Sequence, residues 1–168
     1  MAELDPYTQV LRALWEILEA SSEFTSLVKP GNRVKFDGAR SRQVKSQVAT
    51  ADLPEVMIFE RNSIPHYVGS SNMTSDLVTF EVRVNTGDQR LTVDYFPLKW
   101  AILRVFERER ASLEKLNTLT WADETFVRQC KPADTSAGSS EGDVARGIKG
   151  WVGVWAIDIG MCFTTANL

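Results

Sequence analysis

Ile148-Lys149-Gly150-Trp151-Val152-Gly153-Val154-Trp155-Ala156-Ile157-Asp158-Ile159-Gly160-Met161-Cys162-Phe163-Thr164-Thr165 is the stretch that decides the fold class. Trp151, Trp155, Ile157, Ile159, Met161 and Phe163 share one parity, and Val152, Val154, Ala156, Asp158, Cys162 and Thr164 share the other. That two-residue period is a β-strand with one strongly apolar face. At about 3.3 Å per residue the segment would stretch roughly 60 Å, against about 20 Å for a typical strand. Two outcomes are expected: the glycines at 150, 153 and 160 bend it, or its first half leaves the body as an arm that pairs with a neighbouring chain.

Working outward, Asp134 to Gly147 is rich in Ser, Gly and acid, with Val144 as its one sizeable apolar residue, and reads as a mobile loop or hairpin tip. Thr118 to Trp121 and Thr125 to Cys130 read as short strands around Ala122-Asp123-Glu124. Asp94 can cap a helix from Phe96 to Leu113 with Phe96, Ile102, Val105, Phe106 and Leu113 buried, and Arg104 to Arg110 as a solvated face. Asp76 to Asn85 alternates Val78, Phe80, Val82 and Val84 against a mostly polar face, and Leu53 to Glu60, with Pro54 at its start, reads as a buried strand. At the front, Asp5-Pro6 opens a helix whose Tyr7, Val10, Leu11, Leu14, Trp15 and Leu18 recur at spacings of three and four. A short apolar stretch follows at Phe24 to Val28, then a turn at Pro30-Gly31.

From Gly31 to Asp52 the chain is polar and aperiodic apart from a short strand at Arg33 to Phe36, and reads as an extended loop. The basic loop, 29–52, carries Lys29, Arg33, Lys35, Arg40, Arg42 and Lys45; from Lys29 to Lys45 these face only Asp37, a local balance of +5 within a chain of net charge −3. Such a loop can face phosphates or an acidic protein surface. With 168 residues, 43% of them hydrophobic, one domain spanning 1–168 is expected, with a core that needs no disulfide or metal. No apolar run approaches a membrane span, and Met1 to Tyr7 has no signal-peptide pattern. Cys130 and Cys162 fit a reducing compartment and form no zinc pattern.

Catalytic and cofactor chemistry finds little support. Gly138-Ser139-Ser140-Glu141-Gly142 matches GxSxG, but no helix pattern follows it and the sole histidine, His66, precedes it, so a hydrolase using Ser140 is a weak alternative. His66 reads as a surface residue, and Asp123/Glu124 and Glu141/Asp143 as turn acids without calcium-loop spacing. Nucleotide-binding and zinc-protease motifs do not occur, and neither a cofactor nor a metal is expected. Of the five tryptophans, Trp151 is the first candidate to anchor a partner, with Val152 and Val154 beside it.

The order of elements is an amphipathic helix with Leu11, Leu14 and Trp15, a loop, a strand headed Asp52-Leu53-Pro54, an alternating strand at 76–85, a helix starting near Pro97, then strands closing on a long one. This resembles the tail terminator, or tail-completion, proteins of long-tailed bacteriophages. The resemblance implies an α+β fold: a mainly antiparallel β-sheet with two main α-helices packed on one face, plus an extended loop and a long C-terminal strand or arm. It implies a non-enzymatic virion protein of the neck, assembled in the host cytoplasm. Such a protein forms a homohexameric ring on the head-proximal end of the tail tube, stops tube polymerisation and joins the tail to the head connector. The partners implied are further copies of the chain, the tail tube protein and the connector or stopper protein, with a sheath protein as a further candidate. Genomic DNA passes through the channel without sequence readout, and no membrane is involved. By charge, Arg33, Lys35, Arg40, Arg42 and Lys45 are the candidates to face the channel or an adjoining ring. Another neck component, or a tail tube subunit, is the nearest alternative.

Overall fold

The computed structural model of the chain describes residues 4–35, 53–67, 73–87, 91–108, 111–132, 139–145 and 148–164. Helix α1 (Pro6–Ala20) starts where the cap chemistry places it. The Asp5 carboxylate accepts from the Thr8 backbone N–H at 2.9 Å and its hydroxyl at 2.7 Å, and Pro6 occupies the first turn, where a missing N–H costs nothing. Ser21 closes α1 and caps α2 (Ser22–Leu27), accepting from the Phe24 N–H at 3.3 Å. The expected strand at Arg33 to Phe36 reduces to β1 (Arg33–Val34).

Two long hairpins make the sheet. β2 (Glu55–Tyr67) pairs antiparallel with β3 (Met73–Thr86), continuing past the expected end at Glu60 by way of a bulge between Glu60 and Asn62. The closing strand β8 (Ile148–Thr164) pairs antiparallel with β3 in unbroken register from Trp151 opposite Thr86 to Thr164 opposite Met73. Its other side takes β6 (Val127–Pro132) over Met161 to Ile157, and β7 (Ser139–Ala145) over Gly153 to Ile148. The order is β1-β2-β3-β8-β6, with β7 also on β8 and β1 parallel to β2.

The protruding arm is therefore corrected: β8 is an interior strand, hydrogen-bonded within its own chain along its whole length. The length objection fails because β2 and β3, at 13 and 14 residues, are nearly as long. All three run side by side for roughly 45 Å at about 3.3 Å per residue. Residues 139–145 are likewise a paired strand of the hairpin rather than its tip.

One face of the sheet carries the helices. Val56 and Ile58 of β2, Val78, Phe80, Val82 and Val84 of β3, and Trp155, Ile157, Ile159, Met161 and Phe163 of β8 form one apolar cluster with Val10, Leu14, Trp15 and Leu18 of α1. Full burial of each such side chain contributes about 1.5–3 kcal/mol before entropy is counted. Phe163 stacks on Phe126 at 5.7 Å, and Tyr95 stacks on Trp155 at 6.2 Å.

The second long helix is divided. A single π-turn (Leu91–Tyr95) leads into α3 (Phe96–Leu103), a second π-turn (Arg104–Arg108) follows, and α4 (Ala111–Leu116) ends it. Asp94 does not cap it; Tyr95 stands at that position with no side-chain bond to the helix. Leu98, Ala101, Ile102, Val105 and Phe106 are its buried side. Phe96, two residues before that stripe begins, lies roughly 200° away around the axis and is 43% exposed, against expectation. β4 (Thr120–Trp121) and β5 (Glu124–Thr125) form a small hairpin. No helix of the described residues is long and apolar enough to cross a membrane.

Candidate interaction site

Because side chains alternate along a strand, every core residue on β2, β3 and β8 leaves a neighbour pointing the other way. This second face carries Met57, Phe59 and Ile64 from β2, Leu77, Thr79, Glu81, Arg83 and Asn85 from β3, and Val152, Val154, Ala156, Asp158 and Cys162 from β8. None of its apolar residues belongs to the cluster under the helices. Ile64 is 45% exposed, while Met57, Phe59, Leu77, Val152 and Val154 are half-buried.

Its carboxylates are matched. Glu55 accepts from Asn85 Nδ2 at 3.1 Å, Arg61 Nε lies 3.8 Å from Glu81, and Asp158 accepts from the Thr79 hydroxyl at 2.7 Å with Lys131 opposite it in register. The face is thus a set of apolar positions crossed by carboxylates that are hydrogen-bonded or, at Glu81, ion-paired with Arg61.

One sheet edge is blunted, that of β2. Beyond β1, which reaches only Val56 and Met57, the outer edge of β2 carries the bulge, Arg61 and Pro65, each of which obstructs an added strand. Across the sheet, β6 ends on Pro132.

A second apolar surface runs from the first π-turn onto α3. Val93, Phe96 and Trp100, spaced by three and four residues, are 52%, 43% and 44% exposed. The helix is therefore apolar on its outer side as well as its inner one, the pattern of a helix covered on both sides. The signal was present in the sequence, since this spacing is as regular as that of the buried stripe.

The charge-based candidates divide. Arg33 and Lys35 are engaged within the chain: Arg33 Nη1 lies 3.3 Å and Lys35 Nζ 2.7 Å from the Glu19 carboxylate. Arg33 also donates to the Val28 carbonyl and lies over the Phe24 ring, and Lys35 lies over Trp15. Burial alone raises the Glu19 pKa, but hydrogen bonds and charge from Lys35 and Arg33 together outweigh it and hold the carboxyl below its usual value. No sequence spacing announces this pairing. Arg40, Arg42 and Lys45 lie outside the described residues.

Trp151 sits on the helix side of β8, half-buried, its ring 6.3 Å from Tyr95, whereas Val152 and Val154 on the same strand lie on the second face. Ser140 is part of the β7 ladder opposite Val152, not on a strand-to-helix elbow. His66 stands on β2 opposite Ser75. Glu124 accepts from the Thr164 hydroxyl at 2.7 Å, and among the described residues no group of three or more His, Cys, Asp or Glu could hold a metal.

No protein-family model matches the chain, and no curated protein matches it. Among solved structures it is similar to the bacteriophage SPP1 gp17 protein. The alignment has 18% identity and a TM-score of 0.41, and covers 95% of this chain and 91% of that one. That likeness is too slight to decide fold or function.

Proposed function

We propose that this chain is a structural protein of a phage tail neck. In this reading, copies close into a homohexameric ring on the head-proximal end of the tail tube, stop tube growth and hold the tail to the head connector, with DNA passing through the centre. The observation that supports it is the architecture itself. Helices cover one face of a mainly antiparallel sheet in the element order of the tail terminator proteins that the sequence resembles. A ring of identical chains needs a head-to-tail contact whose rotation closes. Arg40, Arg42 and Lys45 are assigned to the channel or an adjoining ring on charge. Electron microscopy of particles made without this protein tests the reading. Tails of irregular length that detach from heads are expected; tails of normal length firmly joined to heads would overturn it.

A further inference from the structure

We draw no further inference here: the strongest candidate, the exposed apolar patch of Val93, Phe96 and Trp100 that runs from the first π-turn onto α3, carries nothing because nothing among the described residues shows what covers it.

Discussion

The Tyr7 hydroxyl donates to the Asp76 carboxylate, tying the first turn of α1 to the far end of β3 across 69 residues of sequence. Ser63 of β2 completes the knot, donating to both Asp76 oxygens at 2.9 and 3.0 Å. Burial first, then the hydrogen bond to Asp76 and that carboxylate's charge, push the Tyr7 pKa well above its usual value. Tyr7→Phe is expected to cost about 1 kcal/mol, less than the roughly 1.5–3 kcal/mol of a buried bond to a charged group because Tyr7 is 38% exposed. The raised pKa sets the pH window. The contribution is full below about pH 10, where the unfolded tyrosine titrates, and is lost as pH rises toward the folded value. Denaturant melts at pH 8 and 10.5 should show a steeper alkaline loss for the parent than for Tyr7→Phe, and equal losses would refute the linkage.

Glu19 gives the opposite sign. Its carboxyl is held below the usual value, so its contribution is present above about pH 4.5 and disappears as pH falls through the folded pKa. With Glu19 partly exposed, at 27% of its side chain, the pair with Arg33 and Lys35 is worth about 1 kcal/mol. Glu19→Gln should lose that amount at pH 7 and little at pH 3. A loss of the same size at both values would mean the charge is immaterial.

These two contacts show where sequence reading stops. Helix α1 was legible because its cap, proline and apolar stripe are local, and the faces of β3 and β8 because side-chain alternation is local too. The place of β8 in the sheet was not. Its partners, such as Thr79 for Asp158, lie some eighty residues away, and its length made sense only beside strands equally long. Glu19 with Arg33 and Lys35 is a tertiary pairing, 14 and 16 residues apart, that no helical or strand period encodes. Phe96 departs from the expected buried stripe for a different reason: its apolar side chain points about 200° away from Leu98 around the helix axis.

Gly153 lies beneath Tyr95. A Cβ there would collide with the Tyr95 hydroxyl oxygen and fall 2.8 Å from the Trp155 ring. Tyr95 is 1% exposed and ringed by Trp151 and Trp155, so it has little room to yield. Gly153→Ala is expected to cost about 1–3 kcal/mol as overpacking. Gly31→Ala, with nothing within 4 Å of the new methyl, should stay within about 0.5 kcal/mol of the parent. Equal melting temperatures for the two variants would contradict the close approach at Gly153.

The β4–β5 turn holds two non-glycine residues in the left-handed region, Ala122 at φ 49° and Asp123 at φ 63°. Trp121 pairs with Glu124 across it, so it is a two-residue hairpin connection with positive φ at both central positions. That geometry favours Asn-Gly, and an L side chain in it costs roughly 1–2 kcal/mol, less for Asp than for Ala. Replacing the pair by Ala122→Asn and Asp123→Gly should therefore stabilise the protein by about 1 kcal/mol and raise Tm by about 2–4 °C. Asp123→Val puts a β-branched residue where φ is positive, and should instead lower stability by more than 1 kcal/mol. If calorimetry found the Asn-Gly variant no more stable than the parent, the strain assigned to Ala122 and Asp123 would be refuted.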